Sequence, residues 1–311
     1  MRYDRRMKRL TIAILIGCCA AILCIVLPVN AVPTADLGWP ICGARALAAG
    51  SDPYDCPRFA IGLFWPTNPL TTVLAVLPFV WLPDWLVAAV LFGVFSGLLA
   101  YGLIRDGQYW RLLVFLSASY WQARHFIQWS PLITAASLIP ALLPLWLVKP
   151  HIGLPVALCG RWTRRTFLVM LLFGLLTFAL YPLWPLRWLA TVSGYNGFIP
   201  LLVLPGSVLL LTLRYWRDRD ARILFLMACV PQQLCYDALI LFTLPSSPRM
   251  LLLLIGCSWL GYIGWLTAGN AAFWTITSIY IPMLLILLTR SLPVSSEVAR
   301  RRAGQVATSP V

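Results

Sequence analysis

Carboxylates are scarce in this chain: ten of 311 residues are Asp or Glu, and histidine occurs only twice. With His125 and His151 the only imidazoles and no acid–cysteine cluster near them, a protein-built metal site is not expected; a divalent ion is compatible but not implied. No glycine-rich loop ends in Lys-Ser/Thr, which disfavours nucleotide hydrolysis. No Gly-x-Ser-x-Gly elbow is present to carry a hydrolase serine. Internal repeats and a soluble domain are lacking too. Lysine is nearly absent: Lys8 and Lys149 stand against many arginines.

What the chain has in excess is apolar length. It is 60% hydrophobic and 11% charged, with a mean hydropathy of +0.83, more apolar surface than a soluble protein of this size needs. Apolar runs of near-spanning length cover most of it, which excludes a lone anchor and gives a polytopic, all-α transmembrane bundle. The net charge of +14 does not indicate nucleic acid. Arg2, Arg5, Arg6, Lys8 and Arg9, then Arg161, Arg164 and Arg165, then Arg214, Arg217, Arg219 and Arg222, and finally Arg300 to Arg302 cluster in short loops and tails. That is the positive-inside pattern, with anionic headgroups as partners. The fifteen tryptophans fall mostly near segment ends, as interfacial belts, and several are placed to stack on sugar rings.

The first span is read over about Leu10 to Val29, from inside to outside. The basic start and Leu15-Ile16-Gly17-Cys18 imitate a secretion or lipoprotein signal, but the apolar stretch is too long for one and is read as uncleaved. Residues 30–66 form an outer loop, with a short helix over Pro40 to Ala49 ending at Gly50 and a turn at Ser51-Asp52-Pro53-Tyr54. Leu70 to Leu82 and Trp85 to Ile104 read as a helical hairpin around Pro83-Asp84, with Arg105 to Arg111 outside. Weaker segments follow at Leu112 to Trp121, Pro131 to Val148 and Ile152 to Gly160, then Thr166 to Trp184, an outer loop Leu186 to Gly197, and Phe198 to Leu213. Ile223 to Leu244, Leu251 to Ala268 and Ala272 to Leu288 close the count at about ten or eleven segments. The parity does not close. Three spans after the inside cluster Arg214 to Arg222 leave the C-terminus outside, while Arg290 and Arg300 to Arg302 favour inside, so either one of the last two segments is re-entrant or the tail breaks the charge rule. Residues 1–290 make one transmembrane domain and 291–311 a disordered tail, cytoplasmic or outer.

Three of the ten carboxylates, Asp36, Asp52 and Asp55, lie in the first outer loop. Asp36, a few residues beyond the first span and so near the outer surface, is a candidate general base for a sugar or lipid hydroxyl, against the alternative of a helix N-cap or a solvated loop acid. Asp52 and Asp55 look like turn residues. Lys149 interrupts a membrane-length apolar stretch and precedes Pro150-His151. An ionisable group at such a position is a functional candidate, and an ammonium holds phosphate as a point charge; a snorkelling helix-end lysine is the plainer reading. Arg124, His125 and Gln128 form a polar knot that either binds lipid phosphate or marks a loop. Asp237, a turn after Gln232 and Gln233, is a structural pin or part of a site. Cys42 and Cys56 flank the outer loop; a disulfide between them and two free thiols both remain open. The other seven cysteines read as small membrane-helix residues.

The loop Asp36 to Asp55 resembles the first outer loop of glycosyltransferase family 87, the polyprenyl-phosphate-mannose-dependent mannosyltransferase-like proteins. The resemblance rests on Asp36, on Ala44-Arg45-Ala46-Leu47 and on Gly50-Ser51-Asp52-Pro53-Tyr54-Asp55, followed in order by Ile127-Gln128 and Lys149-Pro150. The chain departs at Phe64-Trp65-Pro66-Thr67-Asn68-Pro69, where the family has an aromatic-Tyr-Pro-Pro, and it is short between Gln128 and Lys149. The resemblance implies a GT-C-like membrane fold and transfer of a mannose-like sugar from a polyprenyl-phosphate donor to a lipid or envelope-glycan acceptor. It implies Asp36 as catalytic base and Lys149, Arg45, Arg124 and Gln128 around the donor phosphate, with Asp52, Tyr54, Asp55, His151 and Asp237 as secondary candidates. No cofactor is required in such a transfer. A non-catalytic protein that binds or translocates lipid phosphates is the alternative, motivated by the shortened middle. The compact chain with short outer loops points to a bacterial inner membrane and an outer-face site; the oligomeric state is open.

Overall fold

The computed structural model describes residues 2–27, 35–56, 68–192, 195 and 197–291. Parts of the expected outer loop (30–34 and 57–66), the end of the expected first span (28–29), residue 67 and the expected disordered tail beyond Ser291 lie outside them. The described chain is mostly helical and carries no strand; one isolated antiparallel bridge joins Phe198 to Gln232. Among the described residues, four helices are long and apolar enough to cross a membrane: Arg5–Val26 (within α1, Arg2–Val26), α4 (Asp84–Ile104), α11 (Pro248–Ala268) and the composite Ala271–Arg290. A fifth counts if α8 (Arg164–Leu180) and α9 (Trp184–Val192), bent by 94°, are one span.

The expectation of ten or eleven spans therefore needs correction. Proline breaks many of the apolar runs into pieces too short to cross alone. Pro83 sets off α3 (Leu70–Val76) and its extension Leu77–Phe79 from α4, and Pro140 and Pro150 open the two elements of the run around Lys149, Pro140–Val148 and α7 (Pro150–Cys159), with Pro144 and Pro155 inside them. Four of the short pieces, Tyr109–Leu116, Pro140–Val148, Gly206–Tyr215 and Cys235–Thr243, wind as 3₁₀ helices.

α1 and α4 pack antiparallel through small residues. A Cβ built on Gly17 would lie 2.8 Å from the Gly93 carbonyl, and one on Gly97 would lie 3.1 Å from the Ala13 carbonyl. Inside a membrane such bare surfaces let backbones approach where bulky chains would hold them apart. The pairing brings Arg9 onto the Arg105 carbonyl. The loop from Arg105 thus shares an end with the basic N-terminus, which corrects its expected outer position. At the opposite end, Arg45 on α2 (Gly38–Ala48) bonds the Val80 and Leu82 carbonyls and pairs with Asp84 at 2.5 Å. The stretch Leu70 to Leu82 is consequently a short climb to that end rather than a spanning hairpin arm.

The parity resolves at Arg290. Its guanidinium pairs with Asp220 at 3.2 Å and bonds the Leu244 carbonyl. Both ends of the segment read as one span over Ile223 to Leu244 therefore sit together: α10 (Arg219–Cys229) descends, the chain breaks around Pro231, and Cys235–Thr243 returns. The segment that turns back on itself is this one, whereas the two that follow are each long and apolar enough to cross. α11 and the composite Ala271–Arg290 then form a full hairpin around Gly269 and Asn270, both with positive φ (70° and 55°).

The basic end is also where helices finish. Arg105 bonds the Leu138 carbonyl at 2.7 Å, closing α6 (Ser130–Leu138), and Arg219 reaches the carbonyls of Ser137 and Cys159, closing α6 and α7. Helix C-termini leave carbonyls without intrahelical partners and carry partial negative charge, so a guanidinium suits them twice over. Arginines here cap helices as well as marking an inner surface. With their C-termini gathered at that end, α6, α7 and Cys235–Thr243 aim their N-termini together into the interior.

A candidate site where three helix N-termini converge

Lys149 is the N-cap of α7, held between Val148 and a proline at the first helical position. Its ammonium donates to Asp237 Oδ1 at 2.6 Å and to Gln128 Oε1 at 2.7 Å, and it lies 4.7 Å from the Tyr236 ring centroid. The Asp237 side chain is 0% exposed and that of Lys149 6%, so neither charge is solvated and each requires the other. Asp237 Oδ2 accepts the Gln233 backbone N–H at 3.0 Å, which fixes the carboxylate on the first turn of Cys235–Thr243.

Gln128 reaches the knot because the chain is forced through an unfavourable turn. Ile127, a β-branched residue, takes φ 48° after α5 (Ala118–His125), and the Gln128 N–H closes onto the Ala123 carbonyl at 2.8 Å. A bulky residue in the left-handed region is strained and persists where the surroundings dictate it. His151 Nε2 lies 4.0 Å from Asp237 Oδ2, beyond hydrogen-bonding distance. Its ring is 5.8 Å from that of Tyr195.

Asp36 joins from the outer loop. Its backbone N–H donates to the Phe126 carbonyl at 3.1 Å, tying the loop to the end of α5 two residues before Gln128. Removal from water pushes its carboxyl up from the ordinary 3.8 to about 7; the Lys149 ammonium pulls the other way and the Asp237 carboxylate adds to the rise. Asp36 is therefore close enough to feel both members of the buried pair. α6, α7 and Cys235–Thr243 have 9, 10 and 9 residues, which puts the cluster about 13–18 Å from the basic end.

Asp36, Gln128, Lys149, His151 and Asp237 are thus brought together, and the other candidates are engaged elsewhere. Arg45 closes the Val80–Asp84 turn as described. Arg124 donates to the Leu23 and Leu27 carbonyls at the end of α1 and lies 5.9 Å from the Trp121 ring centroid. Asp52 and Asp55 both pair with Arg187 of α9, at 2.8 and 2.5 Å, and Asp52 also accepts the Tyr54 N–H in the expected turn. Tyr54 packs on Trp39, ring centroids 5.3 Å apart. Cys42 and Cys56 are joined in a disulfide, which pins this turn to α2. α2 itself ends as anticipated, with Gly50 at φ 73° and Ser51 N–H on the Ala46 carbonyl at 2.8 Å.

Sequence reasoning missed Tyr236 and Tyr195. Tyr236 adjoins Asp237 and was hidden in an apolar run; Tyr195 sits in Gly194-Tyr195-Asn196-Gly197, a turn-rich stretch whose one aromatic was its only signal. Among the described residues, no three His, Cys, Asp or Glu side chains gather as a metal ligand set. Chemically the cluster offers a carboxyl that ionises near neutrality, an ammonium at convergent positive helix ends, and an internal carboxylate that an arriving anion must compete with. The chain matches no protein-family model, no curated protein and no solved structure.

Proposed function

We propose that this protein is a membrane transferase of the GT-C-like kind that moves a sugar, mannose-like, from a polyprenyl-phosphate donor to a lipid or envelope-glycan acceptor. The observation that carries the reading is the meeting of Asp36, its pKa raised to about 7, with the buried Lys149–Asp237–Gln128 knot. In the step proposed, the acceptor hydroxyl gives its proton to Asp36 and its oxygen forms a bond to the anomeric carbon. The bond from that carbon to the phosphate oxygen breaks, and the electron pair leaves with the polyprenyl phosphate, whose new charge faces Lys149. A base with a pKa near the working pH combines a deprotonated fraction with useful basicity. A fixed cation beside a developing anion acts where water does not screen it. One displacement inverts the sugar carbon. The donor would approach through the bilayer from the outer leaflet, in a bacterial inner membrane, with membrane lipids the only other partners invoked.

The test is transfer of label from radiolabelled polyprenyl-phosphate mannose to membrane lipids by purified wild type and Asp36→Asn. Transfer by wild type with loss of at least about a hundredfold in the variant supports the assignment, in keeping with removal of a general base. Equal rates overturn it.

One observation favours a second reading. Asp237 already satisfies Lys149, as in a structural pin, which suits a protein that binds or moves lipid phosphates without chemistry. That reading expects donor binding with no sugar released over many protein equivalents of time and substrate; any turnover argues against it.

A further inference from the structure

Three polar atoms around the knot have no hydrogen-bond partner among the described residues, though each is shielded from solvent: Gln128 Nε2, His151 Nε2 and Tyr195 OH. All three residues are tied to the same place. The Gln128 Oε1 atom holds Lys149, His151 stands 4.0 Å from the carboxylate that pairs with Lys149, and the Tyr195 ring lies 5.8 Å from that of His151, tilted by 51°. Gln128 is 1% exposed, so its amide N–H₂, which lies beside the Tyr236 phenol, cannot turn to water. Buried polar groups are almost always paired, and each one left unpaired costs free energy that a ligand can recover.

The chemistry of the trio is neutral. An amide donor, a phenol and an imidazole nitrogen give mixed donor and acceptor capacity without adding a charge. Such a set does not select phosphate, for which Lys149 and the helix N-termini already serve. It suits several hydroxyl groups on one compact body, each able to donate and accept. The phenol and imidazole also offer ring edges and faces to the C–H surface between those hydroxyls.

We infer that Tyr195, His151 and the Gln128 amide form a polyol-recognition subsite, which holds the hydroxyls of a sugar ring beside the phosphate position at Lys149. The inference rests on the transferase reading for the presence of a lipid-phosphate donor, and it adds that the protein recognises the sugar itself. Tyr195, three residues beyond the end of α9 in the sequence, brings its phenol to the subsite beside His151. Gln128 has a double part: its oxygen orients the ammonium that faces the phosphate, and its nitrogen faces the sugar.

The experiment is equilibrium binding to purified full-length protein of a short-chain polyprenyl phosphate, bare and as its mannosyl, glucosyl, galactosyl and N-acetylglucosaminyl esters. At least one ester should bind about tenfold or more tightly than the bare phosphate. Tyr195→Phe, which removes one oxygen and no packing, should lose about threefold to tenfold of that advantage and leave the bare phosphate unaffected. His151→Phe should behave likewise. Equal binding of the bare phosphate and every ester overturns the subsite while the phosphate site stands. An advantage fully retained in Tyr195→Phe and His151→Phe overturns the assignment of these residues. Binding of no lipid at all removes the donor reading and the subsite with it.

Discussion

Lys149 and Asp237 are 88 residues apart in the chain and their charged atoms are 2.6 Å apart in the fold. One opens α7 and the other opens the returning arm of the re-entrant hairpin, so the contact locks two elements that enter the interior from the same end. Because both side chains are desolvated, their attraction mostly offsets their burial rather than adding net stability. Removing one partner is the costly change, because it strands the other charge.

Asp237→Ala should therefore destabilise the protein by about 3–5 kcal/mol, whereas the pair Lys149→Met with Asp237→Leu should recover more than half of that loss. Unfolding of the purified variants in detergent measures both. Losses that add in the double variant would mean that the two charges are not coupled in the folded state.

Asp36 gives the pH dependence. Its carboxyl ionises at about 7 in the fold against an ordinary 3.8, so the folded state binds the proton more tightly. The stabilisation from that proton is complete below about 4 and is lost as pH rises towards about 7. The melting temperature of wild type relative to Asp36→Asn should accordingly fall across that window and level off above it. Transfer should run the opposite way, rising with pH to a plateau above about 7, because the ionised form is the base. A wild-type transfer rate already flat from pH 5 to 8 would remove Asp36 from that role.

How much of this was legible in the sequence depended on whether the signal was local. The helix over α2, its Gly50 stop and the turn at Asp52 are local, and the residues state them. Lys149 was identifiable as an ionisable residue in a costly place, Asp36 by its position just beyond the first span and Gln128 as part of a polar knot between weak spans. Their partner Asp237 was recognised as buried, but nothing in hydropathy says that Lys149 is what it meets, since the pairing spans 88 residues. Arg45 and Arg124 misled for a physical reason: a guanidinium serves a helix C-terminus as well as a phosphate, and only the fold shows which carbonyl is near. The span count failed because hydropathy measures apolar length and not direction. Ile223 to Leu244 is long enough to cross, yet Pro231 and Asp237 in its middle are where it turns back.

The revised topology can be tested by labelling. In a background with the seven free cysteines replaced, single cysteines at Asp106, Arg217, Ser51 and Asn270 occupy exposed positions. An impermeant thiol reagent should reach positions 106 and 217 from one side of the membrane and 51 and 270 from the other. Labelling of 106 together with 51 would restore the hairpin reading of Leu70 to Ile104 and contradict the antiparallel contact of α1 with α4.

That contact makes its own prediction, because the three glycines at issue lie in helices yet face different surroundings. A methyl on Gly17 would stand 2.8 Å from the Gly93 carbonyl, and one on Gly93 would stand 2.8 Å from the Gly17 carbonyl, so backbone must move in either case. Overpacking of that kind costs about 1–3 kcal/mol. Gly174 in α8 has nothing within 4 Å of the same position, so alanine there adds helix propensity without a clash, an effect of up to about 1 kcal/mol in the stabilising direction. Thermal unfolding of Gly17→Ala, Gly93→Ala and Gly174→Ala should split by sign, with the first two below wild type and the third at or above it. If all three fall together, helix identity and not the α1–α4 approach sets the cost, and the close packing that places Arg105 at the basic end would lose its support.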